Sequence, residues 1–212
     1  ILTDAIFQMN PRQVAYTTVT KLAYPLFKPK LTDVAGLENL PRQGGFLLAA
    51  NHVDWLDGFY IAVAVGLERG LPVHFLSSTN NYWWTTLTLK IPRHRGEIID
   101  AAAKFLTNGK VICNFLEGQR NPSSQLLPGK TGTVRMALAA GVPVIPVGIT
   151  CDAGRNMGQS LQFLFSPLHT VTLKFGAPLI FHIPPGGISG KWLAGATNRL
   201  MRAIAPLCGK TV

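Results

Sequence analysis

The sequence predicts an α/β domain in which helices flank a largely buried sheet of parallel or mixed strand order. Three short apolar runs, at residues 46–50, 111–116 and 142–149, each have the composition of a buried strand and stop at polar residues or a loop. Longer segments at 55–67 and 130–140 alternate with them and have the length of helices. With 212 residues, the chain has room for one such domain with a sizeable core, and too little for two.

The N-terminal part of the chain has the pattern of a basic amphipathic helix at residues 12–28. Pro25 predicts a break in this helix, and Pro29 predicts its end. Such a helix can lie on a membrane surface, and it can equally pack on the domain. We therefore divide the chain into an N-terminal amphipathic helical segment, residues 1–30, and a domain at residues 31–212.

Two further strands and two further helices complete the predicted domain. The strands are expected at residues 73–77 and 170–175 from their apolar and alternating patterns. One helix is expected at residues 101–108, where a glycine ends it, and the last helix is expected to begin after a cap at Ser189. The sequence contains no internal repeat and no low-complexity linker, so we expect a single domain.

The composition favours anionic partners and an apolar surface. Hydrophobic residues make up 47% of the chain and charged residues 14%, while 20 basic residues face 10 acidic ones. The resulting charge of +10 suits phosphates, anionic lipids, an acidic carrier protein or nucleic acid. The aromatic residues lie inside apolar runs and no nucleic-acid recognition motif is present, so we expect no nucleic-acid partner.

The cysteine pattern and the hydropathy of the sequence indicate where in the cell the protein is expected. Cys113, Cys151 and Cys208 are scattered without pairing or metal-ligand spacing, which is typical of reduced thiols in a cytosolic setting. No apolar run reaches the 18 or so residues that a spanning helix needs, and no signal peptide is recognisable. Because the chain begins at Ile1, an anchor further upstream stays open. The histidines lack metal-ligand spacing, so no metal site is expected.

Polar residues gather where the first apolar strand ends, and His52 and Asp57 are the pair with chemical potential. Residues five apart on one helix lie about 140° apart, so the two side chains can meet only if His52 is in the loop and Asp57 in the first helical turn. The helix N-terminus there favours an ionised carboxylate. A carboxylate on one ring nitrogen fixes the tautomer and makes the other nitrogen a general base. The alternative is a helix cap with no chemistry.

Four segments in a fixed order resemble the conserved blocks of the glycerolipid acyltransferases, the lysophosphatidic acid acyltransferase-like family with its His-x4-Asp signature. They are residues 51–57 (NHVDWLD), 91–97 (IPRHRGE), 115–120 (FLEGQR) and 142–147 (VPVIPV). Each block alone is a weak signal, whereas four in register are a strong one. Together the blocks cover about residues 36 to 150.

The resemblance implies transfer of a fatty acyl group from a thioester donor, acyl-CoA or acyl carrier protein, to a free hydroxyl of a lysophospholipid. The acceptor it implies first is 1-acyl-sn-glycerol-3-phosphate, which gives phosphatidic acid. Glycerol 3-phosphate or another lysolipid is the alternative acceptor, and a basic membrane-binding protein without activity is the alternative class. No cofactor is implied, and the expected location is peripheral, on the cytoplasmic face of a membrane.

The resemblance also assigns roles to individual residues. His52 and Asp57 would be catalytic. Arg95 and Arg120 would bind the phosphate of the acceptor, because arginine reaches phosphate oxygens with two N–H groups, and Arg93 and Lys130 are outside candidates for the same contact. Glu117 and Gly118 would complete the substrate site, with Glu117 as an orienting group and not the base.

The sequence departs from the family at three positions, and it lacks an obvious covalent nucleophile. Ser78 falls where many relatives have a lysine, and Leu116 and Gln119 replace the commoner proline and threonine. The acceptor is therefore less firmly implied than the reaction class. No Gly-x-Ser-x-Gly motif and no cysteine paired by motif with a histidine is present, so we expect direct transfer with His52 as general base.

Overall fold

The computed structural model describes residue 18 and residues 21–68, 70–76 and 97–212. Six strands form one sheet: β1 (Leu31–Ala35), β2 (Phe46–Ala50), β3 (Val73–Phe75), β4 (Val111–Phe115), β5 (Val144–Cys151) and β6 (Val171–Phe175). The longer helices are α1 (Asp57–Glu68), α2 (Glu97–Thr107), α3 (Gly132–Ala140), α4 (Met157–Phe165) and α5 (Gly190–Cys208). Two short 3₁₀ helices, Lys28–Lys30 and Leu37–Asn39, flank β1.

The strand order is β1-β6-β5-β2-β4-β3, and the strand directions are mixed. Strands β2, β3, β4 and β5 run parallel to one another. Strand β6 is antiparallel to β5, and β1 is parallel to β6. The prediction of an α/β domain with a mixed or parallel sheet is confirmed. Because β2, β4 and β5 point the same way, the loops that follow them meet at one edge of the sheet.

The core forms on both faces of the sheet, as the alternation along β2 shows. Phe46, Leu48 and Ala50 point to one side, where α1 and α4 cover the sheet. Leu47 and Ala49 point to the other side, which is covered by α2, α3 and α5. All five residues are fully buried. A central parallel strand with helices on both faces has no solvent side, which explains its uniformly apolar sequence.

Most of the predicted elements are confirmed with ends that move by a few residues. The final helix begins where expected, because the Ser189 side chain accepts a hydrogen bond from the Trp192 backbone N–H. Two elements were not predicted: β1, which is short and half polar, and α4, whose sequence contains glycine and two glutamines. Helix α4 is capped by Asn156, which accepts a hydrogen bond from Gln159 N.

The N-terminal segment is described only in part. Residues 21–27 are helical and continue through Pro25, so the expected break at that proline is wrong. The buried Phe27 ring, 5.3 Å from Phe59 and 5.0 Å from Tyr60, anchors the end of this helix and offsets the one lost hydrogen bond. Most of the predicted amphipathic segment, residues 12–20, lies outside the described residues except for residue 18. None of the described helices is both long and apolar enough to span a bilayer.

Candidate active site

The loops after β2, β4 and β5 meet at one edge of the sheet, and Asn51 fixes the first of them. Its side-chain oxygen accepts from Ile149 N at 2.8 Å, and its amide nitrogen donates to Ile149 O at 3.0 Å. The buried amide thus extends the pairing of β2 with β5 by one residue. Its neighbour His52 is therefore held at the point where the strand stops.

His52 and Asp57 form the pair that the spacing predicted. Asp57 is the first residue of α1, His52 lies in the preceding loop, and His52 Nδ1 is 2.8 Å from Asp57 Oδ2. The same oxygen accepts from Val53 N at 2.6 Å and from Asp54 N at 2.9 Å. Because two backbone donors already point at Oδ2, this oxygen must also be the acceptor towards the ring. Nδ1 therefore carries the proton, and Nε2 carries the lone pair.

The environment of Asp57 is closed to solvent. Burial raises the pKa of the Asp57 carboxyl above its ordinary value, while the hydrogen bonds from His52, Val53 N and Asp54 N lower it. Its other oxygen, Oδ1, lies 3.9 Å from the thiol of Cys151. Of these two side chains, only His52 lies within ordinary hydrogen-bond distance of the carboxyl group.

The His52 ring packs against an aromatic ring on one face, and its Nε2 edge is accessible. It stacks on Phe115 at the end of β4, with ring centroids 4.1 Å apart and planes 16° from parallel. Its side chain remains 20% exposed. Nε2 has no hydrogen-bond partner in the described part of the chain, so a substrate hydroxyl can approach it. An accessible ring nitrogen opposite a carboxylate is more than a helix cap requires, and the role of His52 as general base stays a prediction.

Glu117 connects the loop after β4 to the loop after β2, which contains His52. This buried carboxylate accepts from His52 N at 3.4 Å through Oε1, and from Leu127 N at 2.9 Å and the Asn121 amide at 2.5 Å through Oε2. Asn121 N in turn donates to His52 O at 2.6 Å. With both oxygens engaged inside the chain, Glu117 has the contacts of an orienting group. Its direct contact with substrate stays a prediction.

Gly118 follows in a left-handed conformation, with φ = 71°, that favours glycine. The exposed Lys130 side chain crosses directly over it, so a side chain at residue 118 would overlap the lysine amine. Gly118 thus contributes backbone shape. It also lets a cation approach the loop that carries Arg120.

Arg120 is held in place without a carboxylate. Its Nη1 donates to Gly154 O at 2.9 Å, and its guanidinium carbon lies 4.2 Å from the centre of the Trp55 ring. In the described residues no acidic side chain lies within 4 Å of its guanidinium nitrogens. Among the described residues, the positive charge of Arg120 therefore has no carboxylate partner at the edge of the sheet where His52 lies.

Five of the six residues predicted for the site come from the loops that meet here: His52, Asp57, Glu117, Gly118 and Arg120. The sixth, Arg95, lies outside the described residues, as does Ser78. Sequence reasoning did not find the supporting residues, because each acts through a neighbour distant in sequence. They are Asn51, Phe115, Asn121, Gly154 and Ser160. In the described residues no cluster of three or more His, Cys, Asp or Glu side chains could hold a metal ion.

A sequence model of one known family, described as Acyltransferase, matches residues 32–150, which include all five of these residues. The chain belongs to the acyltransferase family of enzymes. The matched region begins in β1 and ends near the end of β5, and so contains the three loops that form the site.

Individual relatives of this acyltransferase agree with the family assignment. The chain is 28% identical to a Bacillus subtilis 1-acyl-sn-glycerol-3-phosphate acyltransferase over 82% of its own length and 86% of the relative's. It is 32% identical to the Salmonella typhimurium enzyme of the same name, over 66% and 61% of the two chains. A chloroplastic relative from Brassica napus, BAT2, is 28% identical, and the alignment spans only 38% of that longer protein.

The fold of the acyltransferase is also that of a solved structure. The 1-acyl-sn-glycerophosphate (LPA) acyltransferase PlsC from Thermotoga maritima superimposes with a TM-score of 0.60. The superposition covers 95% of this chain and 85% of the other, at 24% sequence identity. At this identity the likeness concerns the fold.

Proposed function

We propose that this protein transfers a fatty acyl group from a thioester donor, acyl-CoA or acyl carrier protein, to the free hydroxyl of 1-acyl-sn-glycerol-3-phosphate. The observation that carries the proposal is the His52–Asp57 pair, in which His52 Nε2 is open, at the same edge of the sheet as Arg120, whose guanidinium has no carboxylate within 4 Å among the described residues. The pair supplies a base for a hydroxyl, and the arginine supplies a site for a phosphate. The names of the Bacillus and Salmonella relatives support the same acceptor.

In the proposed reaction His52 Nε2 takes the proton of the acceptor hydroxyl as the oxygen attacks the thioester carbonyl. The new C–O bond gives a tetrahedral intermediate, which collapses as the C–S bond breaks. The leaving thiolate takes the proton from the imidazolium, so the products are the ester and a free thiol. Asp57 stabilises the imidazolium in between, as the buried carboxylate of a catalytic triad does.

Direct transfer fits the state of the thiols near the site. Burial raises the pKa of the Cys113 thiol, and burial together with the nearby Asp57 carboxylate raises that of Cys151. Thiols held protonated are poor nucleophiles. An acyl-cysteine intermediate therefore has no support in this site, and the acceptor oxygen is the proposed nucleophile.

The proposed function is tested by incubating the purified protein with acyl-CoA or acyl-loaded carrier protein and a panel of acceptors. The panel contains 1-acyl-sn-glycerol-3-phosphate, glycerol 3-phosphate, a lysophospholipid with a larger headgroup and monoacylglycerol. We expect phosphatidic acid to form fastest, as identified by mass spectrometry. Faster acylation of glycerol 3-phosphate would contradict the acceptor assignment, and no acylation of any acceptor would contradict the reaction class.

The role of Arg120 is tested by comparing a phosphorylated acceptor with an uncharged one. A charge-assisted hydrogen bond contributes about 1.5–3 kcal/mol, or roughly 10–150-fold in an equilibrium or rate ratio. Arg120→Ala should lower kcat/KM for 1-acyl-sn-glycerol-3-phosphate by this factor relative to monoacylglycerol. Arg155→Ala, which removes an exposed arginine nearby, is the matched control and should leave the ratio unchanged. Equal losses on both acceptors after Arg120→Ala would refute the phosphate contact.

We further propose that the protein works as a peripheral enzyme on the cytoplasmic face of an anionic membrane. Helix α4 and the turn after it expose large apolar side chains: Leu161 (43% exposed), Phe165 (69%) and Leu168 (87%). Lys30 lies beside them and donates to Ser166 O. Exposed apolar residues next to cationic ones favour binding to anionic lipid surfaces. Helix α4 also follows the loop that holds Arg120, so membrane contact there would bring the site close to its lipid acceptor.

Sedimentation with anionic vesicles tests this location. The wild-type protein should sediment with the vesicles, and more weakly as salt rises. Phe165→Ser combined with Leu168→Ser should weaken binding, whereas the matched substitution Ile183→Ser, at an exposed residue in the loop before α5, should not. Unchanged binding of the double variant would refute α4 as the contact surface.

A further inference from the structure

Asp54 is a buried carboxylate that the proposed reaction does not use. It lies between His52 and Asp57 and is 2% exposed. In the described residues it has no cationic partner within 4 Å. Its three hydrogen bonds come from neutral donors: Leu56 N at 3.0 Å, Gly154 N at 2.8 Å and Ser160 Oγ at 2.6 Å. Burying a carboxylate is costly, and neutral hydrogen bonds offset that cost only in part. Such a group calls for an explanation beyond stability.

The contacts of Asp54 join the histidine loop to the loop after β5 and to helix α4. Asp54 Oδ2 accepts hydrogen bonds from Gly154 N, in the loop after β5, and from Ser160 Oγ, near the start of α4. The backbone at Gly154 lies so close to Ser160 that any side chain at residue 154 would overlap Ser160 Oγ and N. The hydrogen bond from the Gly154 N–H to Asp54 therefore forms at a position where only glycine fits.

The other side of this loop faces Arg120. The carbonyl of Gly154 accepts from Arg120 Nη1 at 2.9 Å, while its N–H donates to Asp54. Trp55, next to Asp54 in sequence, places its ring 4.2 Å from the guanidinium carbon of Arg120. Two adjacent residues of the His-x4-Asp loop therefore hold the same arginine. Trp55 does so directly, and Asp54 does so through Gly154.

We propose that Asp54 is a positioning residue that fixes the Arg120 guanidinium for the phosphate of the acceptor. The proposal rests on the proposed function, because it takes Arg120 as the phosphate contact. Through Asp54 and Asp57, one loop aligns the phosphate site with the catalytic base: Asp57 orients His52, and Asp54 orients Arg120. Residues 52–57 then set the distance between His52 Nε2 and the Arg120 guanidinium. An acceptor that carries both a hydroxyl and a phosphate needs these two groups at a fixed separation.

Asp54→Asn is the variant that tests this role with little change in shape. An asparagine has one oxygen, so it cannot accept from both Leu56 N on one side and Gly154 N on the other. The Ser160 hydroxyl also reaches Asn156 O at 3.2 Å, so it can donate there and accept from the new amide N–H₂. With the oxygen kept by Leu56 N, Gly154 N is the donor that faces the N–H₂. We expect kcat/KM for 1-acyl-sn-glycerol-3-phosphate to fall about tenfold relative to that for monoacylglycerol, mainly through KM, as the loss of one orienting hydrogen bond predicts. The turnover of monoacylglycerol should stay within about threefold, since His52 and Asp57 are untouched.

The matched control is Asp152→Asn, which makes the same change at an exposed carboxylate two residues from Gly154. It should leave both acceptors unchanged. Ser160→Ala removes one hydroxyl from Asp54 and should shift the acceptor ratio in the same direction by a smaller factor. It keeps the proposal testable if Asp54→Asn fails to fold. Equal losses on the two acceptors in Asp54→Asn, or in Ser160→Ala where the first variant cannot be studied, would overturn the proposal.

A double-mutant cycle separates this inference from the proposed function. If Asp54 acts through Arg120, Asp54→Asn should not lower the acceptor ratio further in the Arg120→Ala background, because the effects of residues in one hydrogen-bond network are not additive. An additive loss would overturn the coupling. If Arg120→Ala alone leaves the ratio unchanged, the phosphate contact fails and this inference fails with it. If Arg120→Ala lowers the ratio and Asp54→Asn does not, only the positioning role of Asp54 is refuted.

Discussion

Replacement of Asp57 by asparagine separates charge from geometry in the His52–Asp57 pair. In a triad, such a change can turn the amide N–H₂ towards the histidine and impose the wrong tautomer. Here Oδ2 also accepts from Val53 N and Asp54 N. Asparagine must turn its oxygen towards these two donors, since its N–H₂ would face them without a partner. The oxygen then still accepts from His52 Nδ1, and the variant loses the charge while keeping the tautomer.

The size of the loss follows from the attraction between the carboxylate and the imidazolium that forms during proton transfer. Two unit charges about 4 Å apart interact by about 4 kcal/mol at the effective dielectric constant typical of proteins. Each 1.36 kcal/mol corresponds to tenfold in rate, so Asp57→Asn should lower kcat by about 10²–10³-fold. Asp57→Ala should cost more, because it also leaves three donors without an acceptor.

Stability should move the other way in Asp57→Asn. Since burial raises the folded-state pKa of Asp57 above its unfolded value, the ionised carboxyl costs stability at neutral pH. That cost shrinks as pH falls below the folded-state pKa and is gone below the unfolded-state pKa. The neutral asparagine avoids it, so the thermal midpoint at pH 7 should be unchanged or higher.

Acyl transfer and thermal unfolding are measured side by side for Asp57→Asn and for Asp100→Asn, the same change at an exposed carboxylate in α2. The control should match the wild type in both measurements. An Asp57→Asn variant that keeps more than a tenth of the wild-type kcat would refute the electrostatic reasoning.

Two further predictions follow from the pKa shifts of the buried histidines and cysteines. Burial lowers the pKa of His74 and of His169 from the usual 6.5, so both bind protons less readily when folded and take them up on unfolding. Stability should therefore fall as pH drops below about 6.5, by at most about 1.4 kcal/mol per pH unit for each histidine, and His169→Phe should flatten urea midpoints measured from pH 7 to 5. A slope unchanged by that variant would contradict the assignment. Burial also raises the pKa of all three cysteine thiols, so native protein should resist alkylation that unfolded protein undergoes three times. Rapid labelling of native Cys113 would show that the core opens readily.

The sequence predicted those features that depend on local pattern. The apolar runs at β2, β4 and β5 are buried on both sides, so their composition alone identifies strands. The His52–Asp57 pair was predictable because five residues of loop and first turn determine it. The strand β1 was not, since its sequence, LTDVA, has two polar residues, and only its pairing with β6 makes it a strand.

The supporting contacts of the site could not be predicted, because they join residues far apart in sequence. Gly154 and Ser160 reach Asp54 across about 100 residues, and Arg120 reaches Gly154 across 34. Phe115 lies under His52 only because β4 pairs with β2 so that Phe115 is opposite Ala50. Strand register and loop contacts of this kind carry no local signature.

Replacement of His52 by alanine tests most directly whether His52 is the base in acyl transfer. Acyl transfer from acyl-CoA to 1-acyl-sn-glycerol-3-phosphate is measured for wild type, His52→Ala and the control His182→Ala, which removes an exposed histidine. General-base catalysis contributes about 10²–10⁴-fold, so His52→Ala should lose at least a hundredfold in kcat with an unchanged thermal midpoint, while His182→Ala should match the wild type. A folded His52→Ala variant with more than a tenth of the wild-type rate would contradict the claim.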